Sequence, residues 1–334
     1  MTDTTLNSAE AVDWRPEIIE KDQSLYNWPF KSMKGLMWLK GYLFSPQSLI
    51  PSGLALITWF FLTPDLARMQ VFSWDWILLI YLRNVALLTL VVGTVHYRLY
   101  IRKVQESEYQ YDLNGLKTNH PRFLFRSQVK ENMFWGLVSG CGIWTAYEVV
   151  TYWMFANGYV LFPVSWLESP VYIVILFIAI PHIRAHHFYF AHRLTHWKPL
   201  YDSAHYLHHK NVNTGPWSGF SMHPIEHLIY LSGVVLHWVI PSHPIHACYN
   251  LMTATIGPTW NHSGYEKIKV NQSVIKTEYF HYLHHRYFEC NYGNPSVPWD
   301  RLFGTFFDGS KEGKKMMNVR LKQRAQLRGA IISK

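Results

Sequence analysis

The chain is short of cysteine and of charge. Cys141, Cys248 and Cys290 are the only cysteines in 334 residues. Three scattered thiols build neither a disulfide framework nor a cysteine-based metal cluster, and their spacing reads as buried or reduced thiols. Charged residues are 16%, against roughly a quarter in an ordinary soluble domain. That scarcity argues against a cytosolic enzyme of this size. The sequence also lacks an H-P-G-G haem-binding segment, a G-x-G-x-x-G dinucleotide loop, an internal repeat and a low-complexity tract. Its first 45 residues hold no short apolar core with a small-residue cleavage site, so no cleaved signal peptide is expected. Disorder is excluded by what is abundant: 49% hydrophobic residues and 16% aromatics, 15 of them Trp. The 19 His nearly equal the 22 Asp and Glu together. What remains is a membrane protein with a histidine-rich part. A mean hydropathy of −0.06 requires a substantial fraction outside lipid.

A bilayer crossing takes about 20 mainly apolar residues. Candidate spans are Leu49–Leu62, extended to about Pro46–Pro64, then Trp74–Val95 with Arg83 inside it, Met133–Phe155 carrying Glu148, and Pro170–Pro181. From His227 to Asn261 there is no Asp, Glu, Lys or Arg, and Pro241-Ser242-His243-Pro244 breaks the run. That reads as a helical hairpin entering and leaving on one side. Lys31, Lys34 and Lys40 precede the first span, and Arg98, Arg102, Lys103, Lys117, Arg122, Arg126 and Lys130 fill the loop after the second. The loop from Asn157 to Ser169 has no Lys or Arg. The positive-inside rule then puts the N-terminus, the 96–130 loop, Arg184–Lys210 and the basic tail after Lys311 in the cytoplasm. The net charge of +9 follows from topology and anionic headgroups; nucleic acid is not an expected partner, because the basic residues flank spans and form no separate domain.

The histidines are grouped. His192-Arg-Leu-Thr-His196 is an H-x3-H pair; His205-Tyr-Leu-His208-His209 and His281-Tyr-Leu-His284-His285 are both H-x2-H-H. Positions i, i+3 and i+4 share a helix face, so each box can aim two or three imidazoles at one spot. His223 and His227 are again i, i+4, and His262 follows the hairpin. Eight box histidines, or nine or ten with His223 and His262, are too many for one ion and suit two. Imidazole alone does not choose between Fe, Zn, Cu and Ni. His96, His120, His182, His237, His243 and His246 lack box spacing and read as ordinary polar residues.

At these residues the sequence resembles the sterol desaturase / fatty acid hydroxylase superfamily of integral membrane di-iron enzymes. The likeness covers roughly Pro181 to Asp308. His192-Arg-Leu-Thr-His196 resembles the family's H-R-x-x-H helix, and His205 to Lys210 its H-x2-H-H box. His223-Pro-Ile-Glu226 is similar to H-P-x-E/D, and Asn261-His262-Ser-Gly to the N-H element after the hairpin. His281 to His285 with Asn291-Tyr292-Gly293 matches the final box, and Trp299-Asp300-Arg301-Leu302-Phe303-Gly304-Thr305 the closing W-D-x-x-F-G-T. One departure is the stretch before the first box, Arg184-Ala185-His186-His187, where many members carry an Asp.

The resemblance implies an all-α fold of about four spans plus a re-entrant hairpin, with a cytosolic helical cap holding the di-metal site. The implied division is 1–45 cytosolic, 46–180 transmembrane, 181–308 catalytic and 309–334 basic cytosolic tail. It implies two non-haem iron ions on His192, His196, His205, His208, His209, His223, His262, His281, His284 and His285. His187, His227, Glu226 and Arg193 are additional or supporting candidates, with Arg193 expected in a salt bridge. The implied activity is O2-dependent hydroxylation or desaturation of a sterol or fatty-acyl lipid, with an external electron donor of cytochrome b5 or ferredoxin type. The expected location is the endoplasmic reticulum in a eukaryote or the inner membrane in a bacterium. A di-zinc membrane hydrolase and a non-catalytic metal- or haem-binding protein are the competing readings.

Overall fold

The computed structural model describes Tyr26 and residues 32–332; the rest of the expected N-terminal segment, Lys31 included, lies outside the described residues. The chain is mostly helical, and proline starts many of the helices. α1 is Ser32–Leu43 and α2 is Pro46–Phe61, where the Ser45 hydroxyl accepts from the Ser48 N–H. α3 is Trp74–Ile101. α4 is the continuous run 128–156, interrupted by a π turn at Trp135–Gly140. α5 is Pro170–Thr195, α6 the run 198–209 with a π turn at Tyr201–His205, and α7 the run 224–239. α8 is Pro244–Ile256 and α9 is Pro258–Asn261. Pro46, Pro170, Pro224, Pro244 and Pro258 all sit in the first helical turn, where the missing N–H costs nothing and the ring presets φ.

α3 and α5 are each long and apolar enough to cross a membrane. Only 28% and 22% of their apolar windows are buried inside the protein. Their outward faces, with Leu78, Leu82, Leu90, Val171 and Ile175 exposed, offer lipid a hydrophobic surface. The fourth expected span ends later than its apolar run: α5 continues past Pro181 to Thr195 and carries the first box. α2 has 16 residues, about 24 Å of helix and short of a bilayer core. α7 and α8 form the expected hairpin, turning at Pro241–Pro244. Twelve of the 13 residues of α8 are buried, which makes it the axis that α2, α3, α4 and α5 pack around.

The two ionisable residues inside apolar runs are one unit. Arg83 on α3 donates to Glu148 on α4 at 2.5 Å. Asn84 and the Tyr152 hydroxyl donate to the same carboxylate, at 3.1 and 2.8 Å. A charge in an apolar interior persists only when paired in this way.

Among the described residues the one sheet is an antiparallel hairpin of β1 (Lys267–Val270) and β2 (Ser273–Lys276). Ile268 and Ile275 pair across the strands on the buried face, and Asn271 in the Asn271-Gln272 turn takes φ 53°. α10 (Tyr279–Tyr287), α11 (Trp299–Leu302) and the basic α12 (Lys311–Ile332) complete the order.

Candidate metal centre and lipid cavity

Nine histidines from four elements converge in two groups. His192, His196, His205, His209 and His284 form one, and His208, His262, His281 and His285 the other. Within each group the ligand atoms all lie within 4.8 Å of one another, and all nine residues are buried. The boxes are shared out by helix geometry. In each H-x2-H-H box the i, i+4 pair stays together (His205 with His209, His281 with His285), and the histidine between them crosses to the other group. The expectation that a box aims at one spot is thus corrected for both of these boxes. Residues i and i+4 stand nearly one above the other, while i+3 is rotated to the opposite side of the stripe. His209 and His285 have ring centroids 4.9 Å apart, so the groups adjoin.

The second nitrogens fix which atom faces inward. His192 Nδ1 donates to the Tyr292 carbonyl at 2.6 Å, and His284 Nδ1 to the Cys290 carbonyl at 2.6 Å. His208 Nδ1 donates to Ser221 O at 3.2 Å and His262 Nδ1 to Pro258 O at 3.0 Å. His205 Nδ1 meets Glu226 Oε1 at 2.7 Å. A carbonyl only accepts, so Nδ1 of His192, His284, His208 and His262 carries the proton and Nε2 presents a lone pair. In the first group Nε2 of His196 lies 3.0 Å from that of His205, 3.1 Å from His209 and 3.2 Å from His284. In the second, Nε2 of His262 lies 3.0, 3.1 and 3.4 Å from those of His285, His281 and His208. Ligands about 2.0–2.1 Å from one ion are separated by roughly 2.9–3.4 Å. Converging lone pairs at that spacing repel unless a cation lies between them, so the residues fit two metal ions. Burial keeps the imidazoles neutral, the form that ligates: His205 is pushed down to about 3 and His208 to about 4, and His281, His284 and His285 are held well below the usual range.

The motif residues outside the boxes support this cluster. The Asp300 carboxylate accepts from the N–H groups of Tyr292 and Gly293 at 2.9 and 2.7 Å and from the Thr305 hydroxyl at 2.6 Å. It thereby positions the Tyr292 carbonyl that orients His192. Asn291 clamps Phe280 and Phe307 through their backbones. Gly264, next to His262 and Ser263, has φ +82°, and a Cβ there would lie 2.3 Å from the Tyr100 hydroxyl. These backbone acceptors had no spacing signal of their own, since a carbonyl acceptor is independent of residue type; the closing motif marked Asp300 but not what it holds.

Other expected residues stand apart from the two groups. His223 caps α7, its Nδ1 accepting from Ile225 N at 3.3 Å, because Pro224 opens the helix there. His227 is held by Ser139 Oγ and the Phe220 carbonyl, and His187 by Ser232 Oγ. His186 accepts from the Trp299 indole at 2.9 Å, which joins the departure before the first box to the closing motif. Arg193 lies over the Tyr292 ring at 4.2 Å; an aromatic face takes the place of the expected carboxylate. Glu226 is buried and pushed up to about 8 by desolvation.

A cavity of about 680 Å³ reaches the cluster, with His192, His205, His208, His262 and His281 in its wall. A row of rings continues that wall away from the histidines. Phe188 stacks on His192 at 5.0 Å, Tyr230 meets Phe188 edge-on at 5.9 Å, and Arg184 lies over Tyr230 at 4.5 Å while donating to its carbonyl. Trp38 and Tyr42 of α1 line the cavity elsewhere. The volume suits a lipid-sized molecule.

Comparison with known proteins matches the region that holds the histidine boxes. The fatty acid hydroxylase family matches residues 173–305. A Delta(7)-sterol 5(6)-desaturase of Eremothecium gossypii is 32% identical over 127 residues, 37% of this chain and 35% of that protein. Methylsterol monooxygenase 1 of Gallus gallus is 31% identical over 170 residues, 48% and 57% of the two chains. A Delta(7)-sterol-C5(6)-desaturase of Nicotiana tabacum is 25% identical over 158 residues, 46% and 56%. The chain thus spans about a third to somewhat over half the length of these curated relatives. No solved structure matches it. Residues 173–305, which hold the ordered histidine boxes, thus match the fatty acid hydroxylase family and are similar to sterol desaturases and a methylsterol monooxygenase.

Proposed function

We propose that this protein is a membrane-bound, O2-dependent oxidoreductase that hydroxylates or desaturates a C–H bond of a sterol or fatty-acyl lipid. The observation that carries the reading is nine imidazoles converging in two groups, with ligand spacing, at one end of a lipid-sized cavity. Two iron ions held by His192, His196, His205, His209 and His284 and by His208, His262, His281 and His285 would supply the activation of O2 that an unreactive C–H bond demands. The protein's own part is to hold and orient. Glu226 fixes the ring plane of His205, and the carbonyls of Tyr292, Cys290, Ser221 and Pro258 fix four more rings. Phe188 and Tyr230 give the substrate an apolar wall beside His192 and keep water from it.

The named activities of the relatives, desaturation and methylsterol oxygenation, favour a sterol. The reaction takes two electrons from outside the chain. A cytochrome b5 or ferredoxin type donor on a cytosolic face suits the basic 96–130 loop and α12. The apolar α3 and α5 support more than one span, and the distribution of Lys and Arg supports a cytosolic side for the cluster. A di-zinc hydrolase fits less well: among the described residues, Glu226 is the carboxylate bonded to the histidine set, and it holds His205 Nδ1 instead of bridging two ions.

Lipid mass spectrometry of cells with and without the full chain tests this reading. A product 16 mass units heavier than its precursor is expected for hydroxylation, or 2 lighter for desaturation. An unchanged lipid profile, with the protein expressed and metal-loaded, contradicts it.

A further inference from the structure

The cavity wall holds a polar pair that the metal cluster does not use. Glu278 stands three residues before His281, at the N-cap of α10, where its side chain makes no capping bond. It lines the cavity together with Asn294 and Ser296. Asn294 Nδ2 donates to Glu278 Oε1 at 2.9 Å, while Asn294 Oδ1 accepts from the Ser296 N–H at 2.8 Å. The Asn294 amide is therefore oriented from behind by its own turn, and it orients the carboxyl in turn. One carboxyl oxygen and one amide N–H remain beyond these bonds. An acceptor beside a donor matches an alcohol, which donates one hydrogen bond and accepts another.

Charge argues for a neutral partner. Glu278 is half-buried in the wall, and Glu266 adds negative charge to its surroundings. A lipid carboxylate or phosphate placed here would meet repulsion in a low-dielectric cavity. Lys276 also lines the cavity, but it is exposed at the end of β2 and remains hydrated. Arg184 is already committed to the Tyr230 ring and carbonyl.

We infer that Glu278 and Asn294 form a recognition subsite for the hydroxyl of a neutral lipid alcohol, and so act as specificity-determining residues for the cavity. This deepens the lipid-oxidoreductase reading by naming the polar group of its substrate class. A sterol and a long-chain alcohol share the chemistry, and the test separates them.

The full chain in lipid nanodiscs is titrated with a Δ7-sterol and its 3-methyl ether, and with a long-chain alcohol and its methyl ether. Wild type is expected to bind the alcohol about tenfold more tightly than the ether in at least one series, and that series names the source. Glu278→Leu should bring the ratio close to one. A merely structural role would weaken alcohol and ether equally and leave the ratio unchanged. Should Glu278→Leu fail to fold, Asn294→Asp keeps the turn to Ser296 but loses the donor, and should narrow the ratio. Equal binding of alcohol and ether in both series by wild type overturns the subsite. So does an undiminished ratio in these variants, or tighter binding of a fatty acid than of either alcohol. Because the readout is binding, a preserved alcohol preference without any lipid oxidation would retire the oxidoreductase reading and leave the subsite standing.

Discussion

Glu226 illustrates how far single residues were readable. Its place in His223-Pro-Ile-Glu226 marked it as a support for a histidine, and the structure gives it His205 Nδ1 at 2.7 Å. Replacing a carboxylate that orients a ligating imidazole typically weakens metal binding about 10–100-fold. Glu226→Leu should therefore lose metal to a chelator at roughly 10–100-fold lower chelator concentration than wild type; an unchanged chelation curve would assign Glu226 to packing alone. His223, in the same motif, was expected as a ligand, and spacing could not foresee that Pro224 would recruit it as a helix cap. Arg193 was read as one half of an ion pair because it lies between two box histidines. The side chain instead covers Tyr292, ninety-nine residues away in sequence, a contact that local pattern does not encode. Glu278 and Asn294 carried no motif at all, and only the fold brings them to one cavity wall.

Among the elements, helical periodicity made the boxes legible but not their division. Two i, i+4 pairs and two crossing i+3 histidines follow from 3.6 residues per turn once the helices are docked face to face. The π turn at Tyr201–His205 adds a local change of phase just before His208 and His209, and no residue in that segment announces it. The β1–β2 hairpin has local signals, β-branched Ile268, Val270, Val274 and Ile275 on either side of an Asn271 turn; it was hidden inside a chain read for helices. Arg83 and Glu148 appeared as separate blemishes in two spans, whereas together they form one buried bridge between α3 and α4. Leaving one of two buried charges alone costs about 3–5 kcal/mol, while replacing both by apolar residues is close to neutral. Arg83→Met should therefore lower Tm in detergent more than the double variant Arg83→Met/Glu148→Met does. A double variant less stable than either single one would show that the two side chains do not act as a pair.

For the molecule as a whole, composition identified the solvent and the histidines identified the chemistry. Low charge and abundant aromatics pointed to a membrane, and α3 and α5 carry the apolar surface that such a setting needs. The hairpin was legible from its charge-free run and its central prolines, and α8 inside it became the packing axis. The continuation of α5 past Pro181 was not, because a proline inside an apolar run reads as its end. That continuation links span to site: one helix begins at Pro170 among exposed apolar residues and ends at His192 and His196. The cavity depends on contacts between α1, α5, α7 and the 276–296 region, which are distant in sequence, so its existence emerges only at this scale. The proposed activity rests on two metal ions shared among nine histidines. Elemental analysis of the purified, iron-loaded full chain measures that directly. Two ions per chain are expected in wild type and in His223→Ala, falling toward one in His208→Ala and in His284→Ala. A single ion in wild type, or an undiminished two in both box variants, would contradict the account.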